Sequence, residues 1–148
     1  MHALTEEVKV SLAINATEGA AGTTDVSGDI QDMAGFEAVA FAVTFGAITA
    51  NAVTSVKVQQ GDESDLSDAE DVAGSSITVA DDDDDQVFIS DIIRPEKRYV
   101  RVVVDRGTAN AVVASALALQ YRAKEMPVTQ SADVGASERH YAPVGGTA

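Results

Sequence analysis

The sequence predicts an all-β protein: an antiparallel β-sandwich of the jelly-roll type, in a single domain with extended terminal arms. About eight short segments alternate apolar and polar residues, turn formers separate them, and no long stretch has the period of an amphipathic helix. The length of 148 residues fits one domain. We place the sandwich at residues 1–128 and an extended or flexible arm at residues 129–148, where no period is visible.

Two segments near the N-terminus carry the clearest alternation. Residues 7–14, EVKVSLAI, predict a half-buried strand whose apolar residues share the buried face. These residues are Val8, Val10, Leu12 and Ile14. Residues 36–45, FEAVAFAVTF, are apolar on both sides, which is typical of a central strand covered on each face. Its larger side chains share one face: Val39, Phe41, Val43 and Phe45.

The middle of the chain is strongly acidic. Residues 53–59 predict a strand, and the segment GDESDLSDAEDVAG follows it. Ser67 and Glu70 within that segment resemble a capping box, so a short helical turn is expected around residues 68–73. SSITVA and QVFISDII predict two further strands, separated by the aspartates of residues 81–85. Adjacent carboxylates repel one another, so we expect this run to be a solvated loop.

The charge changes sign at residues 94–107, RPEKRYVRVVVDRG. This segment holds five of the ten basic residues of a chain whose formal net charge is −14. It predicts a strand with three valines on its buried face: Val100, Val102 and Val104. Residues 111–123, AVVASALALQYRA, predict the next strand, although their alanine content would also suit a helix. The expected common face of this strand comprises Val113, Leu117, Leu119 and Tyr121.

Few residue types suited to catalysis or metal binding are present. The chain has no cysteine, and His2 and His140 lie in the presumed termini, so the usual nucleophile and base pairs cannot be assembled. The acidic segment around residues 62–70 lacks the glycine and the glutamate that an EF-hand loop requires. We therefore predict that the protein is not an enzyme and binds no metal and no cofactor.

Composition also limits the partners. An isoelectric point near 4.2 argues against nucleic acid, because phosphate contacts need a broad basic surface. No run of about 18 apolar residues exists, so no membrane span is expected. No signal peptide is visible in MHALTEEVKV, which predicts a soluble protein made in the cytoplasm.

The basic segment has two remaining explanations. Its arginines could pair with acidic residues of neighbouring strands inside one subunit. They could instead form a surface for another protein, since arginine is favoured at protein interfaces.

Three segments occur in a distinctive order. DMAGFEAVAFAVTFGAITA contains a strand that begins with glycine and an aromatic residue, and VKVQQGDESDLSDAEDVAG contains an acidic loop. RYVRVVVDRGTANAVVASALALQYRAKEMPV contains two strands and ends in basic residues and a proline. Over residues 24–128 this order resembles the small head decoration, or cement, proteins of tailed bacteriophages.

The resemblance implies a jelly-roll protein, often a homotrimer, on the outer face of the virion capsid, where it bridges subunits of the major capsid protein. It implies no catalysis. We expect the capsid or inter-subunit contacts to involve strand-end cations and the chain exit rather than a deep pocket. The candidate residues are Arg98, Arg101, Arg122, Lys124, Met126 and Pro127, with Tyr141 in the arm.

Two other classes remain open at this point. A virion-surface β-sandwich could bind a carbohydrate or a receptor, since jelly rolls have both roles. Sugar sites usually present an exposed tryptophan or tyrosine, and this chain has no tryptophan. An enzyme of unknown type is the third class.

Overall fold

The computed structural model describes residues 3–141 and 145–147, which form two antiparallel β-sheets packed against each other. One sheet has four strands and the other six. The prediction of an all-β antiparallel sandwich is therefore confirmed. The jelly-roll connectivity and the domain boundary at residue 128 stay predictions.

The described residues contain one short helix, α1 (Leu4–Glu7), followed by ten strands. The strands are β1 (Lys9–Ile14), β2 (Val26–Ser27), β3 (Gln31–Asp32), β4 (Phe36–Ile48), β5 (Val53–Gly61), β6 (Glu70–Asp71), β7 (Ile77–Val79), β8 (Val87–Ile93), β9 (Tyr99–Gly107) and β10 (Ala111–Ala123). The four-stranded sheet has the order β1-β10-β4-β8. The six-stranded sheet has the order β2-β9-β5-β6, with β3 also paired to β9 and β7 to β5. No helix in this part of the chain is long and apolar enough to cross a membrane.

The core lies between β4 and β10 of one sheet and β9 and β5 of the other. The predicted inner residues of β4 are at most 1% exposed, and the three predicted valines of β9 are fully buried. All of them belong to one hydrophobic cluster. The Phe45 and Phe88 rings meet edge to face with their centroids 5.5 Å apart. The predicted inner faces of both strands are therefore correct. The expectation that the strand of residues 36–45 is covered on each face is wrong, because Ala40 and Ala42 lie half-buried on the outer side of the sheet.

The predicted face of β1 is wrong. Ser11 and Ala13 are buried, whereas Val10 and Leu12 are half-buried on the outer side of the sheet. The register with β10 shifts between Leu12 and Ile14, and this irregularity returns Ile14 to the core. Successive side chains of a strand point to opposite faces of the sheet. One extra residue in the strand therefore reverses the faces of all the residues that precede it relative to those that follow it.

Residues 111–123 form a strand and no helix, as predicted, but their expected common face is also wrong. The register of β10 with β4 shifts on both sides of Val113. Val113 is therefore buried in the core, while Leu117 is 37% exposed on the outer side. Alanines fill the inner side of this strand at Ala116 and Ala118.

The helical turn expected at residues 68–73 is absent, and this prediction is wrong. The Asp68 carboxylate accepts hydrogen bonds from the backbone N–H groups of Asp62 at 2.8 Å and Glu63 at 3.1 Å. This carboxylate folds the segment back toward β5, where Glu70 and Asp71 pair as β6. Side-chain bonds of this kind compete with a helix for the backbone.

The aspartates of residues 81–85 lie in a loop, as predicted, and two of them also accept hydrogen bonds from the backbone. Asp84 accepts the backbone N–H of Ile48 at 2.8 Å, and Asp81 accepts that of Asn51 at 2.5 Å. These carboxylates hold the loop to the end of β4 and the turn after it.

A buried arginine joins distant parts of the chain. Arg106 is 7% exposed, and its guanidinium donates to the backbone carbonyls of Thr24, Ala20 and Ala111 at 2.6–2.8 Å. Its backbone N–H donates to the Asp25 carboxylate at 3.0 Å. Burial lowers the pKa of the guanidinium, and the Asp25 charge acts in the opposite direction. Arg106 therefore fixes the irregular segment before β2 onto β9 and β10.

We expect Arg106→Leu to lower the free energy of unfolding by about 3 kcal/mol, because three buried carbonyls lose their donor. Urea unfolding measures this change. Arg101→Leu is the matched control: Arg101 lies on the same strand, partly exposed, and bonds one side chain. A loss below about 1 kcal/mol for Arg106→Leu would contradict its role as a structural donor.

Candidate functional site

Four cations surround a groove at the end of the sandwich where the chain passes from β8 to β9. The groove has a volume of about 380 Å³. Its lining includes Arg94, Lys97, Arg98 and Lys124, with Met33 and Phe36, and also the acidic Glu37 and Glu96. We call this set the basic groove. It unites the predicted residues Arg98 and Lys124, and it adds Arg94 and Lys97, which sequence reasoning missed. Their position in the turn RPEK, directly before a strand, was the available signal.

Two cations of the basic groove are paired within the chain. Arg98 donates two hydrogen bonds to the Asp32 carboxylate, both at 2.8 Å. This contact lowers the pKa of Asp32 below its ordinary value of 3.8. Lys97 lies 3.5–3.9 Å from three carboxylates, those of Asp62, Asp68 and Glu70. Arg94 and Lys124 are exposed, and their side chains form no ion pair with another described residue. Within the basic groove they are the two cations without an ion pair to a described residue.

The Arg98–Asp32 pair predicts an acid-dependent contribution to stability. A carboxyl with a lowered pKa in the folded state stabilises the fold above its unfolded pKa, and this contribution is lost as the pH falls through the folded value. We therefore expect the difference in unfolding free energy between the wild type and Arg98→Gln to shrink below pH 3.8. Urea unfolding across this range measures it.

The matched control for this prediction is Arg101→Gln. Arg101 bonds the neutral amide of Gln59, so its effect should not change in the same pH range. The Asp32 pKa, measured by NMR, should rise toward 3.8 in Arg98→Gln. An unchanged Asp32 pKa in this variant would refute the assignment.

The other predicted contact residues lie in separate places. Arg101 lies on the outer face of the six-stranded sheet, bonded to Gln59 at 2.8 and 3.0 Å. Arg122 and Met126 line a second groove, and Pro127 lines a third that also includes Lys124. Tyr141 is 84% exposed near the end of the described chain. The prediction that these residues contact a partner stays a prediction.

The outer face of the four-stranded sheet is apolar. Residues opposite one another in an antiparallel pair point to the same side of the sheet. The observed registers align outward-facing side chains across all four strands. Asp91 of β8 lies on this side as well and accepts a hydrogen bond from the Tyr121 hydroxyl at 2.7 Å. The apolar residues on this side are Val10 and Leu12 of β1, Leu117 and Leu119 of β10, Ala40 and Ala42 of β4, and Val87, Ile89 and Ile93 of β8. We call this set the apolar face. Ile89 is 63% exposed and Val87 55% exposed.

The outer face of the six-stranded sheet differs in chemistry. Its strands carry Lys57 and Gln59 of β5 beside Arg101 and Asp105 of β9. Lys57 forms ion pairs with Asp105 at 3.6 Å and with Asp71 at 3.2 Å. The outer face of the six-stranded sheet is therefore mainly polar, and that of the four-stranded sheet is mainly apolar.

The C-terminal arm runs along the free edge of β1. The Gln130 side chain accepts the N–H of Val10 at 2.9 Å and donates to the carbonyls of Val8 and Thr5. The Asp133 carboxylate accepts the N–H of Leu12 at 3.1 Å. The arm thus caps this edge with side chains, which protects it from pairing with another strand.

Gln130 and Asp133 offer reciprocal tests of this cap. Gln130→Ala should accelerate hydrogen exchange at the Val10 amide by at least about fivefold and leave the Leu12 amide unchanged, because each amide has its own acceptor. Asp133→Ala should do the reverse. Exchange measured by NMR decides it, and equal effects at both amides would indicate loosening of the whole arm.

Histidine and carboxylate side chains are the residues of this chain best suited to metal binding. His140 is exposed in the arm and lies 3.0 Å from Glu138, and His2 lies outside the described residues. No group of three or more histidine, aspartate or glutamate side chains within residues 3–141 and 145–147 could hold a metal ion. The grooves of this surface are shallow and open.

The chain matches no protein-family model and no curated protein.

Proposed function

We propose that this protein is a structural component of a bacteriophage virion that decorates the outside of the capsid and cements it by bridging subunits of the major capsid protein. The role is one of contact and involves no catalysis. The resemblance of the ordered segments within residues 24–128 supports the phage context, and the surface supports contact with a protein.

The apolar face is the observation that carries the proposal. A chain with a net charge of −14 would be expected to cover an unused sheet face with polar residues. Leu117, Ile89 and Ile93 are instead 37–63% exposed on one side of the sandwich. An extended apolar surface on a protein of this size marks an interaction site.

Charge adds direction to this contact. Arg94 and Lys124 lie at one end of the sandwich, and the acidic loop of residues 81–85 lies at the other end of β8. These positive charges would favour a capsid surface that has carboxylates beside apolar residues over one that has cations there. The homotrimer implied by the resemblance and the contacts of the predicted residues belong to this proposal.

Particles of the tailed phage whose genome encodes this chain provide the test. We expect the protein at a fixed ratio to the major capsid protein and accessible to antibody on intact particles. Capsids assembled without it should bind the added protein and gain thermal stability.

Leu117→Asp addresses the apolar face. It should weaken capsid binding at least about tenfold, because a carboxylate would be desolvated at an apolar contact. Val53→Asp is the control, since Val53 is 66% exposed on the six-stranded sheet. Both variants must unfold in urea near the wild-type midpoint. Equal binding of the two variants would exclude the apolar face, and absence of the protein from particles would exclude the capsid role.

A further inference from the structure

The two edges of the four-stranded sheet differ. At one edge the C-terminal arm caps β1. At the other edge lies β8, and β4 is its sheet neighbour. Within the described residues, no side chain bonds the free backbone of β8 as Gln130 bonds that of β1. An open edge with exposed apolar side chains is a template for another strand.

The hydrogen bonds at the two ends of β8 show which backbone groups are free. Arg94 donates its N–H to the carbonyl of Glu37, and Phe45 donates its N–H to the carbonyl of Gln86. In an antiparallel pair, bonded residues recur every second position. The even-numbered residues of β8 thus bond β4, and the odd-numbered residues direct N–H and C=O groups outward. These are Val87, Ile89, Asp91 and Ile93.

The sequence around β8 is complementary to itself in the antiparallel direction. The acidic loop of residues 81–85 precedes the strand, and the exposed Arg94 follows it. Neither Arg94 nor Asp85 forms an ion pair with another described residue. If a second copy paired with β8 in the antiparallel direction, Arg94 of each copy would therefore lie next to the acidic loop of the other copy. A parallel copy would place like charges together.

We propose that two copies of this protein associate by pairing their β8 edges about a two-fold axis at Ser90. The two four-stranded sheets then form one continuous sheet. In this register Val87 lies opposite Ile93 of the second copy, and Ile89 lies opposite Asp91. Arg94 lies opposite Gln86, beside Asp85.

Two neighbouring registers are worse. An axis at Asp91 places the two Asp91 carboxylates opposite each other, and like charges across a strand pair are destabilising. An axis at Ile89 places Val87 opposite Asp91 and Ile93 opposite Asp85. Two apolar side chains of each copy then face a carboxylate, whereas in the Ser90 register only Ile89 does. The Ser90 axis alone pairs all four outward-directed residues of one strand with those of the other.

Sedimentation of the pure, full-length protein tests the pairing without any capsid. Its result does not depend on capsid binding, and a dimer would count only against the homotrimer of the proposed function. We expect a concentration-dependent species of twice the 15.3 kDa chain mass. The homotrimer implied by the resemblance would give three times that mass.

Ile89→Asp and Ile89→Lys are a matched pair that tests the register. Both remove the same exposed side chain, but the introduced carboxylate would face Asp91 of the second copy with like charge, twice, and the introduced ammonium would face it with opposite charge. Ile89→Asp should weaken association at least about tenfold, whereas Ile89→Lys should stay within about threefold of the wild type. Val53→Asp, at a similarly exposed strand position on the other sheet, should leave it unchanged.

A monomer at several hundred micromolar, a trimer, or a dimer insensitive to Ile89→Asp would overturn the proposal. Loss of the dimer in both Ile89 variants would refute the Ser90-centred register. Urea unfolding of each variant must match the wild type, and Val87→Asp serves as the second edge variant if one of them fails to fold.

Discussion

The packing of β4 against the valines of β9 sets the dimensions of the whole sandwich. Phe41 and Phe45 are the largest side chains that are fully buried, and most other core positions hold valine or alanine. With fillers this small, the two sheets lie close together, and alanines fill the middle of the inner side of β10 at Ala116 and Ala118, between the buried side chains of Val113 and Gln120. The leucines of β10 are consequently on the outer side. The apolar face is thus a result of how the core is filled.

The parts of the fold that the sequence predicted correctly are those where alternation is unbroken. In β9, and over residues 39–45 of β4, every second residue from first to last points inward, so period two identifies the buried face. In β1 and β10 the register shifts within the strand. A bulge leaves no compositional mark in a run of valine, alanine and leucine, so the predicted faces of both strands were wrong.

The sequence predicted only part of the candidate site, because contacts between residues distant in the chain cannot be derived from a local pattern. Arg98 and Lys124 were proposed as strand-end cations, and the fold brings them to one groove. Arg106 looked the same in sequence, yet it is buried among carbonyls that lie 5 to 86 positions away in the chain. Partners this distant depend on topology, which local pattern cannot supply. The cap of β1 by Gln130 and Asp133 escaped prediction for the same reason.

Strand β8 separates the most acidic segment of the chain from the most basic one, so that the two segments lie at opposite ends of the sandwich. Residues 81–85 lie at one end of the sandwich, and residues 94–98 lie at the other, with the strand length between them. Charges separated in this way cannot neutralise one another across the Debye length of about 8 Å at physiological salt. At the basic end, Arg94 and Lys124 are the groove cations that the local carboxylates of the described residues leave without an ion pair. The fold caps the β1 edge with a neutral and an acidic side chain, whereas no described side chain caps the β8 edge, and this difference is the basis of the proposed β8 pairing.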